Sequence, residues 1–256
     1  MTPRSILAVS DLTAASDSAL ARAACLTAAH GATLTLIHMR AAGASPDDSA
    51  ASRLAHQALQ LGQRHGLCVR TASRLTHTPQ EVAHEARHAD LLVVGAHAAD
   101  GGGAWMRWHS PAADLLRLAR KPLLAVRRPA DGAYRRLLVA LDCSPAARTV
   151  ADHARALGGP AEVALFDAVP SPAETARQAA ARQQRSGADL LVVGRDPASR
   201  LAEFLFGSTA LRVLRLARGD VLVVPHGDRA AASAHGGTRP SRHAKRDSFH
   251  GNGSIP

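Results

Sequence analysis

The 256-residue chain is 46% hydrophobic and 20% charged, which is typical of a folded globular protein and unlike a disordered chain. Only 3% of its residues are aromatic, which argues against a stacking platform for single-stranded nucleic acid, and its apolar runs are too short to cross a membrane. The net charge of +10 comes from an Arg-rich composition without a nucleic-acid-binding signature, and three cysteines are too few for a disulfide framework, so we expect a cytoplasmic protein.

The first half of the chain alternates short apolar strands with amphipathic helical patterns. This alternation is typical of βαβ units in a parallel sheet whose two faces are both covered. The predicted elements are, in chain order, a strand Ile6–Ser10 that ends at Asp11, a helix from about Ser45 to Gly66, a strand Leu67–Leu75, an apolar strand in the block Ala89–Gly95, and a closing strand in Lys121–Val126.

The second half repeats this pattern. The segment Leu137–Asp142 matches the first strand and Asp11 at an offset of 131 residues, whereas Ala-Asp-Leu-Leu-Val-Val-Gly recurs residue for residue as 188–194, at an offset of 99. Two ordered matches indicate an internal duplication. Because the second offset is shorter, we expect the second copy to lack one strand and one helix. Its other predicted elements are a strand Glu162–Val169, a helix Ala173–Ser186 and a closing strand in Asp220–Pro225.

The duplication divides the chain into two predicted lobes. Lobe 1 comprises residues 1–128 and lobe 2 comprises residues 134–226, with a linker at 129–133. Residues 227–256 are rich in Gly, Ser, His and Arg and show no periodicity, so we predict a disordered basic tail.

The repeat places similar residues at the carboxyl ends of two strands in each lobe. Asp11 and Asp142 follow the first strand, and Gly95 and Gly194 end the repeated apolar block. Ligands of open parallel sheets bind at this edge, where an aspartate can accept from a ribose or an adenine amino group and glycine lets the backbone approach a phosphate. The alternative is that each aspartate only caps the helix that follows it.

The strand ending in Asp11 or Asp142, the repeated Ala-Asp-Leu-Leu-Val-Val-Gly block and the closing helix and strand resemble the universal stress protein family in its tandem form. The resemblance implies two Rossmann-like lobes of the adenine nucleotide alpha hydrolase-like type, with strand order 3-2-1-4-5. The strand missing from lobe 2 would then be the edge strand 3. It also implies that Leu123–Val126 and Val221–Val224 associate the lobes within the chain, and it leaves a homodimer open.

One subclass of that family binds ATP through the same aspartate and a loop of the form Gly-x2-Gly-x9-Gly-Ser/Thr. In lobe 2, Gly194 and Gly207-Ser208-Thr209 fall at the first and last positions of that loop, but Pro197 stands in place of the middle glycine. The resemblance thus implies an adenine nucleotide, with Mg²⁺ as its only metal. Its binding residues would be Ala140, Leu141, Asp142, Gly194, Gly207, Ser208 and Thr209.

Lobe 1 departs further from this loop pattern. Gly95 is retained, but Ala98 stands at the middle position, and Ser110-Pro111 stands near the position of the last glycine. The proline removes a backbone donor near the expected phosphate. A site built from Asp11, Gly95 and Ser110 is therefore expected to be altered or inactive.

Two other function classes compete with nucleotide sensing. His84, Glu85 and His88 match the zinc motif H-E-x-x-H, with His77 nearby, which would indicate a metal-dependent hydrolase. Lobe 2 has no ligands at the corresponding place, and we expect no metal site. The other competitor is a tandem stress protein that holds no nucleotide and binds an unidentified protein partner.

The function most consistent with the sequence is that of a cytoplasmic stress-response protein with a regulatory nucleotide in lobe 2. No evident general base for fast hydrolysis can be read from the sequence, so we expect no enzymatic activity beyond a slow ATPase.

Overall fold

The computed structural model describes residues 2–40, 49–72, 78–96, 111–142, 147–195 and 209–225, and the predicted tail at 227–256 lies outside them. Nine strands and seven helices lie in these ranges. The strands are β1 (Ser5–Ser10), β2 (Thr33–His38), β3 (Val69–Thr71), β4 (Leu91–Gly95), β5 (Leu123–Val126), β6 (Arg136–Leu141), β7 (Glu162–Asp167), β8 (Leu190–Arg195) and β9 (Asp220–Pro225). The helices are α1 (Ala14–His30), α2 (Ala50–His65), α3 (Pro79–Glu85), α4 (Pro111–Leu118), α5 (Ala147–Gly158), α6 (Pro172–Ser186) and α7 (Thr209–Leu216).

All nine strands belong to one sheet, in the order β3-β2-β1-β4-β5-β9-β8-β6-β7. Neighbouring strands are parallel except β5 and β9, which pair antiparallel with Leu124 opposite Leu222. The lobe 1 strands follow the order 3-2-1-4-5, and the lobe 2 strands follow the same order in reverse without a strand 3. The α/β fold is confirmed, and so is the loss of one strand and one helix from lobe 2, since the described residues 168–171 lead directly from β7 to α6 without either element.

Each face of the sheet is covered by its own set of helices. The front face packs against α3, α4, α6 and α7, whereas the back face packs against α1, α2 and α5. Alternating strand residues therefore enter different cores; in β6, for example, Ala140 faces the front core and Val139 the back core. Burial on both faces explains why the central strands are continuous apolar runs instead of alternating polar and apolar residues.

The aspartate of the repeated block has a structural role at the amino end of the sheet. Asp90 Oδ2 accepts hydrogen bonds from the backbone N–H groups of Arg4 and Ser5, at 2.9 and 3.0 Å. Asp189 Oδ2 does the same for the two residues at the start of β6, at 2.8 and 3.1 Å. In both lobes this side chain ties the fourth strand to the first, far from the edge where a ligand is expected.

Two predicted strands are shorter than expected. β3 begins only at Val69, because Leu67 closes the turn after α2, where its N–H donates to the Gly62 carbonyl. β7 ends at Asp167 instead of Val169, because both backbone groups of Val169 bond to the Thr175 hydroxyl, which turns the chain into α6. The predicted start of the second helix near Ser45 lies outside the described residues.

Candidate ligand site

A cavity of about 400 Å³ lies at the carboxyl ends of β6 and β8. These two strands are neighbours in the sheet, but the chain leaves β6 toward β7 on one side and β8 toward β9 on the other. Such a switch in direction opens a crevice between adjacent strands, and ligands of open α/β sheets bind there. The cavity therefore lies at the strand ends where a ligand is expected in lobe 2.

Four of the predicted binding residues line this cavity, namely Ala140, Asp142, Gly194 and Thr209. Leu141 does not line it: its side chain packs against the back core, and its carbonyl accepts from the Ala168 N–H at 2.6 Å. Gly207 and Ser208 lie outside the described residues, as does Pro197.

The opposite wall of the cavity comes from the connection between β7 and α6, which the sequence analysis did not single out. Ala168, Val169, Pro170 and Pro172 supply an apolar surface. The buried Thr175 hydroxyl fixes this connection, since it donates to the Val169 carbonyl at 2.8 Å and accepts from the Val169 N–H at 3.1 Å. The Pro-Ser-Pro sequence ahead of a helix was the available signal, because Ser171 is an N-cap and Pro172 a first helical residue.

Polar groups stand on the other sides of the cavity. The Asp142 side chain is exposed directly after β6. Gly194, the second-last residue of β8, has no side chain. Thr209 is the first residue of α7, whose first turn contains no acidic residue. The amino end of a helix presents unpaired N–H groups and a partial positive charge, which favours an anion.

The corresponding edge of lobe 1 is built differently. Asp11 Oδ1 accepts from the N–H of Thr13 at 3.0 Å and from its hydroxyl at 2.6 Å, and Thr13 is the N-cap of α1. Leu12 between them has a φ of +60°, a left-handed conformation that non-glycine residues rarely adopt. Asp11 is therefore bound to the residue that precedes α1 and does not itself accept from the free N–H groups of the first turn of that helix. Gly95 ends β4 as predicted, and Ser110 lies outside the described residues.

Helix α2 closes over this edge of lobe 1. Gln57 Oε1 accepts from the Ser10 hydroxyl at 2.9 Å, and Gln57 Nε2 donates to Asp17 at 3.0 Å. Arg53 adds a hydrogen bond to the Leu12 carbonyl at 3.1 Å. Lobe 2 has no counterpart of α2 among the described residues, so nothing equivalent in that part of the chain covers the end of β6.

The H-E-x-x-H segment lies away from both strand-end sites. Glu85 is the last residue of α3, and residues 86–88 form a 3₁₀ turn, so His84 and His88 are not separated by a regular α-helical turn. Across the described ranges, no group of three or more His, Cys, Asp or Glu side chains is arranged to hold a metal ion. His77 lies outside those ranges.

The sequence itself matches a known family over most of its length. The model of the universal stress protein family matches residues 3–127 and 155–225. The chain belongs to the universal stress protein family. None of the curated proteins matches it.

Solved structures share this fold over nearly their whole length. A putative universal stress protein from Pseudomonas aeruginosa UCBPP-PA14 is 22% identical, with a TM-score of 0.66, covering 87% of this chain and 93% of its own. A universal stress protein from Archaeoglobus fulgidus DSM 4304 is 14% identical, with a TM-score of 0.63 and coverages of 88% and 97%. A functionally unknown protein from Pseudomonas aeruginosa PAO1 is 20% identical, with a TM-score of 0.64 and coverages of 87% and 92%.

Within the ranges that the structure describes, no helix combines the length and the apolar composition that crossing a bilayer requires.

Proposed function

We propose that this universal stress protein is a cytoplasmic stress-response regulator that binds an adenine nucleotide in the lobe 2 cavity. The observation that carries the proposal is the cavity of about 400 Å³ at the switch point between β6 and β8, bordered by Asp142, Gly194 and the start of α7. Its volume lies within the range of about 300 to 1,000 Å³ that is usual for small-molecule sites.

The walls of the cavity match the parts of a nucleotide. The apolar wall of Val169, Pro170 and Pro172 offers a surface for a planar base, and the Asp142 carboxylate can accept from a ribose hydroxyl or an adenine amino group. Gly194 has no side chain to obstruct a phosphate, and the amino end of α7 favours negative charge. Mg²⁺ bound with the phosphates would neutralise the rest of that charge.

The proposed role of the nucleotide is regulatory. The described residues around the cavity include one carboxylate and no histidine, so they offer no general base paired with an orienting group for rapid hydrolysis. A nucleotide that bridges Asp142 and Thr209 would join the end of β6 to the start of α7. It would thereby change the surface that lobe 2 presents to a protein partner, with ATPase activity that is slow or undetectable.

Calorimetric titration of the full chain with ATP and ADP in the presence of Mg²⁺ tests this proposal. We expect micromolar binding to the wild type and at least a tenfold loss in Asp142→Ala, because a charge-assisted hydrogen bond contributes about 1.5–3 kcal/mol. Asp11→Ala is the matched variant in lobe 1 and should bind as the wild type does. Loss of binding in Asp11→Ala alone would move the site to lobe 1.

A second candidate is a protein-binding module without nucleotide. In the described residues β7 is the outer strand of the sheet, and Leu165 at its centre is 50% exposed. Open strand edges can pair with a strand from another chain. If the titration shows no ATP or ADP binding to the wild type, the nucleotide proposal is wrong and this second function becomes the better one.

A further inference from the structure

The antiparallel pairing of β5 and β9 relates the lobes by a pseudo-two-fold axis, which creates two equivalent corners at the lobe interface. In each corner, the first helix of one lobe meets the amino ends of strands from the other lobe. The offsets of the repeat place Arg22, Tyr134 and Asp220 in the first corner. The equivalent residues in the second corner are His153, Pro3 and Lys121.

The first corner is filled by a buried ionic cluster. The Tyr134 hydroxyl donates to Asp220 Oδ2 at 2.7 Å, and Arg22 Nε lies 3.5 Å from the same oxygen. The Arg22 guanidinium also stacks over the Tyr134 ring, 4.3 Å from its centroid. The aromatic ring occupies the space between α1 and the start of β9, so the corner is closed.

The second corner instead holds a cavity of about 170 Å³. Pro3 stands where the first corner has Tyr134, and its small ring leaves the space open. Leu91 from β4, Leu157 from α5 and Leu222 from β9 form an apolar wall, and the rest of the lining includes polar and charged side chains. An apolar cavity of about 150 Å³ is known to admit a benzene ring, so one six-membered aromatic ring matches this space.

The lining of this cavity also includes a cation, Lys121. The Lys121 ammonium makes no hydrogen bond or ion pair within 4.0 Å to any residue that the structure describes. Asp90 also lines the cavity; the charge of Lys121 contributes to the lowered pKa of this carboxyl group, whose Oδ2 accepts from two backbone N–H groups and from the Ser5 hydroxyl. His153 Nδ1 donates to the Thr149 carbonyl at 2.8 Å, which leaves Nε2 as the ring nitrogen able to meet a ligand.

We propose that the second corner is a binding site for a small monocyclic aromatic carboxylate. The ring would lie among Pro3, Leu157 and Leu222, in the space that Tyr134 fills in the first corner. The carboxylate of the ligand would lie at Lys121. In the first corner the equivalent residue is Asp220, which is an anion, whereas Lys121 is a cation and therefore favours an anionic ligand. This site lies at the opposite end of the strands from the lobe 2 cavity and does not depend on the nucleotide proposal.

Benzoate titrated into the full chain tests the site, with the affinity measured by calorimetry and the location by NMR contacts between the ring protons and the Leu157 and Leu222 methyl groups. We expect saturable binding in the micromolar to millimolar range, with contacts to both leucines. Lys121→Met should weaken binding about tenfold or more, because it removes the charge but keeps a similar chain length. Arg120→Met, which removes an exposed charge one residue away, should leave the affinity unchanged.

Two further experiments distinguish binding at this site from non-specific anion binding. Pro3→Tyr, which introduces the ring found in the first corner, should abolish benzoate binding while circular dichroism and the unfolding midpoint show a folded protein. Acetate, which has the charge but no ring, should bind at least tenfold more weakly than benzoate. Absence of saturable benzoate binding, equal affinity for acetate, or unchanged affinity in Lys121→Met would each overturn the proposal.

Discussion

The two lobes contain equivalent strands in different surroundings, and β2 and β7 show this most directly. Leu36 of β2 pairs with Ala8, and Leu165 of β7 pairs with Val139, at equivalent positions of the repeat. Leu36 is 0% exposed beneath α2, whereas Leu165 is 50% exposed. The same side chain is thus a core residue in one lobe and a surface residue in the other, and the difference comes from the helix and strand that lobe 2 lacks.

The comparison also shows how the chain adapted to that loss. Ala24 of α1 is fully buried, and the equivalent residue of α5 is Arg155, an exposed side chain 3.7 Å from Asp152. The outer surface of α5 has therefore become charged, while β7 has kept its apolar sequence. Lobe 2 has no counterpart of α2 in the described residues, and this exposes Leu165 and leaves the end of β6 uncovered. One loss therefore explains both the open edge of the sheet and the accessible cavity.

The largest effect is expected where the lobes meet, in the corner that contains Asp220. Asp220→Ala should lower the free energy of unfolding by about 3–5 kcal/mol, because it removes the buried counter-charge of Arg22 and leaves that guanidinium only the ion pair with the exposed Asp131, at 3.8 Å. It also removes the acceptor for the Tyr134 hydroxyl, a group whose pKa is raised well above its ordinary value by burial and by the Asp220 charge. Urea unfolding at pH 7 measures the change.

The equivalent substitution in the other corner is the control for this prediction. Lys121→Ala should change the free energy of unfolding by no more than about 0.5 kcal/mol, because the side chain forms no hydrogen bond in the described part of the molecule. Similar losses in the two variants would show that the corners are energetically alike and that the comparison between them is wrong.

The next prediction concerns truncation of the two equivalent leucines, and its range begins lower than that of Asp220→Ala. Leu36→Ala should cost about 2–5 kcal/mol, since it removes buried methyl groups and leaves a cavity under α2. Leu165→Ala should cost less than about 1 kcal/mol, because half of that side chain already contacts solvent. If Leu165→Ala costs as much as Leu36→Ala, the β7 face is covered in solution, and a concentration-dependent unfolding midpoint would identify a second copy as the cover.

Much of the fold could be predicted from the sequence, because the repeat constrains it so strongly. The matched strands ending in Asp11 and Asp142 and the matched blocks ending in Gly95 and Gly194 fix the central strands of both lobes. The corners could not be predicted. They depend on which side chains the antiparallel β5–β9 pair brings together, and no local pattern connects Arg22 with residues more than a hundred positions away.

The candidate site could be predicted only in part. Ala140, Asp142, Gly194 and Thr209 were predicted from the resemblance and line the cavity, whereas the side chain of Leu141 packs against the back core, because alternation along a strand sends neighbouring side chains to opposite faces. The apolar wall after β7 was missed because its residues carry no ionisable group, and its role depends on the fold of the Thr175 turn. Ligand-binding roles for Asp142, Gly194 and Thr209 stay predictions.

The smallest effect concerns the aspartates that tie strands together at the amino end of the sheet. Burial by itself would raise the pKa of Asp90. Hydrogen bonds from Arg4 and Ser5 and the charge of Lys121 outweigh it, so the pKa of this carboxyl group is below its ordinary value. A carboxylate with a lowered pKa stabilises the folded protein fully above its unfolded pKa of about 3.9, and this contribution is lost as the pH falls through the folded value.

Asp90→Asn should therefore destabilise the protein by about 1 kcal/mol or less at pH 7, since the amide oxygen still accepts hydrogen bonds and the group is largely exposed. The difference from the wild type should persist at pH 5 and shrink toward zero as the pH falls below about 4, as measured by urea unfolding at each pH. Asp152→Asn, which removes half of an exposed ion pair, should show almost no difference at any pH. A difference for Asp90→Asn that grows on acidification would mean that the carboxylate is not favoured in its charged form, and that the strand tie depends on hydrogen-bond geometry alone.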